Sequence, residues 1–184
     1  MRKFNFIKTS IEGVFIIEPT VFGDERGYFM ETFQKNEFEE AGINEYFVQD
    51  NQSKSKKGVL RGLHFQYTHP QAKLVRVIKG EVFDVAVDLR KASKTYGKYV
   101  GAVLSEENKK QLYVPSGFAH GFLVLSDEAE FTYKCSDFYN HEDEGGIIWN
   151  DPEIAIDWPF KNDEIILSDK DKLYKKLSET STNF

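Results

Sequence analysis

A histidine, a glycine and an arginine sit within an otherwise apolar run, Val59-Leu60-Arg61-Gly62-Leu63-His64-Phe65, and this is the densest chemical signal in the chain. Strand alternation would put Arg61 and His64 on opposite faces, because they are three apart. For both to line one pocket, Gly62 must mark a bulge that resets the phase. A structural histidine beside a surface arginine is the open alternative. Lys73 shares the parity of Val75 and Val77, an uncommon place for an ammonium because burying it unpaired is expensive. A lysine snorkelling from a strand edge would read the same way. His120 shares parity with Phe122 and Val124, and Tyr133 with Phe131 and Cys135, so both face the apolar side. An unperturbed imidazole titrates at about 6.5 and a phenol at about 10. As a pair they suit proton movement at a carbon beside a carbonyl. A buried tyrosine whose hydroxyl merely finds a partner remains the structural reading of Tyr133.

Other chemistries find less support. The four histidines (His64, His69, His120 and His141) form no HxH or HxxxH pair, whereas zinc and iron sites usually show several closely spaced ligands; no metal is expected. No glycine-rich phosphate loop stands between a strand and a helix, and no GxSxG elbow occurs. Cys135 is the only cysteine, which removes intrachain disulfides and cysteine-based metal sites. It reads as a small buried hydrophobe.

The elements that must position these groups are mostly strands. Period-two alternation runs through Leu74–Lys79, Glu81–Arg90, Tyr99–Leu104, Gln111–Val114, Gly121–Leu125 and Glu130–Cys135, punctuated by Gly80, Gly97 and Pro115-Ser116-Gly117. In Glu81–Arg90 the residues Phe83, Val85, Val87 and Leu89 form the apolar face, with Asp84 and Asp88 opposite. Many short strands at this spacing predict a mainly β antiparallel sandwich or barrel. Two short helices are expected at its periphery. One spans Asn36–Ala41, with Asn36 as cap and Gly42 as stop. The other is opened by Ser168 and Asp171 as a capping box and runs through Leu173 and Leu177.

The 184 residues suit one domain, 1–184, with residues 178–184 as a loose tail. Sixteen Phe, nine Tyr and two Trp favour strands or a pocket that stacks flat ligands. The net charge of −6 argues against a nucleic-acid partner. No apolar stretch approaches the ~20 residues needed to cross a bilayer. The N-terminus offers no apolar leader, so a cytoplasmic, soluble protein with no membrane partner is expected.

Seven strings, in register from about Phe4 to about Leu177, resemble the dTDP-4-dehydrorhamnose 3,5-epimerase family. They are Gly23-Asp-Glu-Arg-Gly-Tyr-Phe-Met-Glu31, Phe47-Val-Gln-Asp-Asn51, Val59–Gln66, Pro115–Phe122, Phe131-Thr-Tyr-Lys134, Trp149–Asp151-Pro152 with Ile156-Asp-Trp-Pro159, and Leu167–Asp171. The resemblance implies a cupin-like antiparallel jelly-roll barrel, a homodimer and no cofactor. It implies inversion at C3 and C5 of dTDP-4-dehydro-6-deoxy-D-glucose to give dTDP-4-dehydro-L-rhamnose. His64 would then be the base and Asp171 its orienting partner. Tyr133 would return a proton from the other face, and Lys73 would neutralise the enolate oxygen. Arg26, Glu31, Gln49, Asn51, Arg61, His120, Glu144 and Lys170 match positions that hold the nucleotide sugar, and Tyr139 one that stacks on thymine. A relative that inverts one carbon or shifts the keto group is the runner-up. A non-catalytic or metal-dependent cupin is the reading from another class.

Overall fold

The structure, a computed structural model, describes residues 2–184. Among the described residues, thirteen strands and one α-helix follow one another. They are β1 (Phe4–Lys8), β2 (Phe15–Pro19), the hairpin of β3 (Phe22–Asp24) and β4 (Gly27–Phe29), α1 (Lys35–Glu40), β5 (Gln49–Lys56), β6 (Leu60–Gln66), β7 (Lys73–Lys79), β8 (Glu81–Asp88), β9 (Tyr99–Ser105), β10 (Gln111–Val114), β11 (Phe118–Val124), β12 (Glu128–Cys135) and β13 (Glu144–Gly146). One sheet runs β1-β2-β10-β7-β12-β5 and a second β13-β6-β11-β8-β9, with antiparallel pairing throughout. This is the expected mainly β jelly roll.

The sheets pack face to face because each turns one parity inward. Val75, Val77, Leu112, Val114 and Phe131 from the first meet Val82, Ala86, Leu104, Phe118 and Phe122 from the second. Two further cores cover the outer faces. Phe38 of α1 packs with Phe4, Ile17, Leu74 and Tyr113 on the six-stranded sheet. Ile147, Ile154, Leu177, Trp158 and Phe184 from the C-terminal part cover Leu63, Val85, Val87 and Leu89 on the five-stranded one. Both sheets are thus buried on two sides over much of their area, which explains why β8 and β11 are nearly continuous runs of buried residues;.

Four details differ from expectation. The polar parity of β8 faces the barrel interior, not solvent, and Asp84 and Asp88 are both fully buried. Val82 and Ala86 share their parity and belong to the inner core. The cap of α1 is Gln34, whose side-chain oxygen accepts from Glu37 N at 2.8 Å, so Asn36 lies inside the first turn; Gly42, at φ +90°, is the stop as expected. No α-helix follows Ser168. Its hydroxyl does accept from Asp171 N at 3.1 Å, but the segment forms 3-10 turns at Asp171–Leu173 and Leu177–Glu179. The final residues, expected to be loose, are docked: Thr182 is buried, Lys91 N donates to the Phe184 carbonyl at 2.9 Å and the Phe184 ring meets Phe65 edge-on. Among the described residues no helix is long and apolar enough to cross a membrane.

Candidate active site

β6 brings the first functional group into the barrel by breaking its own register. His64 pairs with His120 of β11 and Arg61 with Phe122, so two residues of β6 stand where β11 has only Gly121. Gly62, at φ +131°, occupies this bulge, and a Cβ on it would lie 2.6 Å from the Gly121 Cα. Paired residues in an antiparallel ladder share a face. Arg61 and His64 therefore share the inner face, with Arg61 at its exposed end.

β7 and β12 add the remaining groups by plain alternation. Lys73 enters beside Val75, and Tyr133 and Cys135 enter beside Phe131. A cavity of ≈ 230 Å³ is lined by Gln49, Asn51, His64, Gln71, Lys73, Tyr133, Cys135, Tyr139 and Glu144, among others. A larger cleft of ≈ 440 Å³ lies on the opposite face of the same strands, beside Arg76, Thr132 and Lys134. It lacks an imidazole, so the smaller cavity is the one equipped for proton transfer.

Electrostatics inside the cavity favour that use. His64 Nε2 lies 2.6 Å from Asp171 Oδ1, and the Asp171 carboxylate is buried. With Nε2 so engaged, Nδ1 is the nitrogen left for a substrate. Burial pushes Lys73 below the ordinary lysine value, against the attraction of Asp84 and Glu144. Burial pushes the Tyr133 phenol upward, and the Arg61 guanidinium opposes that rise. An acid that holds its proton and a cation in a desolvated site are arranged as general acid and charge stabiliser would be. Cys135 is buried, its thiol pushed up by that burial, and it accepts from Asn51 Nδ2 at 3.6 Å.

At the mouth, Glu144 collects several donors. Lys170 Nζ reaches Oε1 at 2.5 Å, Tyr139 Oη donates to Oε2 at 2.7 Å, and Tyr174 Oη donates to Oε1 at 3.3 Å. Burial alone would raise the Glu144 pKa, but Lys170 and Tyr139 hold it below the usual range. Its carboxylate in turn pushes the Tyr139 phenol up to about 12. Tyr139 is half exposed, and its backbone N donates to Gln49 Oε1 at 3.0 Å.

Of the thirteen residues expected from sequence, His64, Lys73, Tyr133, Gln49, Asn51, Tyr139 and Glu144 line the one cavity, and Asp171 and Lys170 bond to it. His120 lines a smaller adjoining hollow with His64 and Lys73, its Nε2 at 2.9 Å from Asp84 Oδ1. Arg61 stands at the exposed end of the inner face, donating to Ser55 Oγ at 3.1 Å. Arg26 and Glu31 lie elsewhere. Arg26 is exposed at the turn of the β3–β4 hairpin, paired with Asp24, and Glu31 pairs with Lys3. Asp84 stands on the parity opposite the apolar face of β8, where an acidic residue gives no sign of burial. The available signal was Val82 and Ala86 on the same parity.

A sequence profile of the dTDP-4-dehydrorhamnose 3,5-epimerase family matches residues 8–179. A Methanothermobacter thermautotrophicus enzyme of that name is 58% identical over 97% of each chain. An Elizabethkingia anophelis dTDP-4-dehydrorhamnose 3,5-epimerase superposes with a TM-score of 0.93 at 53% identity, covering 97% of this chain and 98% of that one. A Legionella pneumophila dTDP-6-deoxy-D-glucose-3,5-epimerase, solved in complex with dTDP-4-keto-L-rhamnose, superposes at 0.92 with 55% identity over 95% and 93%.

Proposed function

The chain belongs to the dTDP-4-dehydrorhamnose 3,5-epimerase family, and we infer from the cavity how its residues divide the reaction. It is an isomerase that inverts C3 and C5 of dTDP-4-dehydro-6-deoxy-D-glucose to give dTDP-4-dehydro-L-rhamnose. The observation that carries the assignment of roles is the convergence of His64, Lys73 and Tyr133 on one cavity, with Asp171 on the far nitrogen of His64.

A C–H bond beside a ketone is too weakly acidic for imidazole unless charge on the oxygen is stabilised as it forms. His64 Nδ1 takes the proton, the bonding pair becomes the enolate double bond, and negative charge gathers on the ketone oxygen beside Lys73. Asp171 stabilises the imidazolium formed. Tyr133 then protonates the same carbon from the opposite face, the enolate collapses to the ketone, and solvent restores both groups. The same sequence at the second carbon completes the double inversion. Gln49, Asn51, His120, Glu144 and Lys170 hold the sugar nucleotide, Arg61 suits a diphosphate through its guanidinium fork, and Tyr139 supplies a stacking face for the base.

Arg26 and Glu31 take part from a second copy of the chain. The hairpin that carries Arg26 displays Phe22, Tyr28 and Phe29 to solvent, from 44% to 63% exposed, an apolar surface that a homodimer would cover. Sedimentation as a monomer at working concentration would end this part of the reading. The proposal extends to a single domain that works in the cytoplasm on a nucleotide-linked metabolite.

Proton NMR in D₂O tests the roles. His64→Ala is expected to abolish deuterium incorporation at C3 and C5, while Tyr133→Phe retains exchange but accumulates little inverted product. Exchange surviving in His64→Ala would remove the base from the assignment.

A further inference from the structure

Asp171 touches only one edge of the His64 ring, and an imidazole held at one nitrogen can still swing about its side-chain bonds. A second contact comes from Tyr174. Its ring meets His64 edge-to-face, with centroids 5.7 Å apart and planes inclined at 69°.

The space for that ring is made by Gly146. In the β13–β6 ladder Gly146 stands directly across from His64, so a side chain at 146 would project beside the imidazole. A Cβ there would fall well inside van der Waals contact with the Tyr174 ring atoms Cδ2, Cε2 and Cζ. The Tyr174 ring thus fills the volume that a side chain opposite His64 would have taken.

The segment that delivers the ring is tied at both ends. Asp171 N donates to Ser168 Oγ, Leu173 N to the Lys170 carbonyl at 3.0 Å, and Ile148 N to the Lys175 carbonyl at 2.9 Å. One short strap therefore carries the carboxylate on Nε2 and, three residues later, the aromatic ring packed against the same imidazole. Burial, with Glu144 and Asp171 nearby, pushes the Tyr174 phenol far up. Its hydroxyl donates to Glu144 and, unlike Tyr133, it is not among the residues lining the cavity, so proton exchange with substrate is not its task.

We propose that Tyr174 is a positioning residue for the epimerisation, its ring seated over Gly146 and holding the His64 imidazole in the orientation that turns Nδ1 toward the cavity. The proposal rests on His64 being the base, and the two are separable. In a packed core a ring of this size does not leave without consequence, and misplacement of a reacting group by ~1 Å costs roughly 10²-fold in rate.

The test compares Tyr174→Phe, Tyr174→Leu and Gly146→Ala in the full chain, each assayed below its own melting temperature with dTDP-4-dehydro-6-deoxy-D-glucose. Nitrogen-15 NMR of histidine-labelled protein, with the His64 signal assigned through His64→Asn, reports the tautomer. Tyr174→Phe keeps the ring and is expected to stay within about 3-fold of the parent kcat. Tyr174→Leu and Gly146→Ala should lose roughly 10- to 100-fold in kcat with KM little changed, and His64 should pass from one tautomer to a mixture. If Leu does not fold at 174, Tyr174→Met is the ring-free substitute. Unchanged kcat and tautomer in the ring-free variant would overturn the proposal, even with a lower melting temperature. So would equal impairment by Phe and Leu, or a change confined to KM. A changed tautomer with unchanged kcat would instead support the positioning contact and overturn His64 as base.

Discussion

Replacing Asp171 with Asn removes one charge and almost no volume from the site. The carboxylate lies 2.6 Å from His64 Nε2 and is buried. Spread over the carboxylate and the ring, the charges that develop in the transition state sit about 4 Å apart, and at an effective dielectric of about 20 such a pair is worth about 4 kcal/mol. A neutral hydrogen bond from Nε2 to the amide oxygen would still contribute about 1 kcal/mol. The net loss of about 3 kcal/mol corresponds to roughly 100- to 200-fold in kcat. If the amide instead turns its NH₂ toward Nε2, the ring proton is forced onto Nδ1 and the base is blocked, so the loss is larger. The assay is deuterium incorporation at C3 and C5 under saturating substrate, beside circular dichroism and a melting curve to confirm the fold. KM is expected to hold within about 3-fold, because Asp171 acts on charge that appears only during reaction. A kcat within 3-fold of the parent, with the fold intact, would refute the idea that this pair drives proton removal.

Further outcomes follow from other parts of the structure. Burial lowers Lys73 from its ordinary 10.5, and the enolate needs the ammonium. Activity should therefore be lost as pH rises through a value below 10.5, and Lys73→Arg, which stays charged, should remove that alkaline limb from the pH profile. Gly62→Ala must adopt φ +131° and place a Cβ 2.6 Å from Gly121, so urea unfolding should show a loss of about 2–5 kcal/mol. Asp88 is fully buried. Burial alone would raise its pKa, but hydrogen bonds from Arg90, Ser93 and Thr95 lower it from 3.8 to about 2. That depressed value contributes about 2 kcal/mol of stability above pH 4, lost as pH falls from about 4 to about 2. Asp88→Asn should show the deficit in urea melts at pH 7 and a smaller one at pH 3.

The catalytic strands were legible because each keeps an apolar parity. Lys73 and Tyr133 announce their inward side through Val75, Val77, Phe131 and Cys135, and the structure puts them there. β5 was not legible. Gln49–Lys56 contains no apolar residue, because its inward side chains line the cavity and its outward ones meet water. β8 hides its orientation for a related reason: the C-terminal segment buries its outer face, so apolar residues mark the outside of the barrel. The roles of Arg26 and Glu31 came from family likeness alone, and nothing local to the hairpin tells which cavity they serve. Tyr174 leaves no mark in the sequence because the space for its ring is made by a glycine, and an absent side chain leaves no periodic trace.

The bulge at Gly62 also sets a length. Arg61 and His64 are three apart in the chain, yet facing β11 they take the places of residues two apart. Their backbone roots are thus spaced by one strand repeat, about 7 Å, on the scale of a single sugar ring. The strand works as a ruler as well as a wall: a guanidinium at one mark and an imidazole at the next.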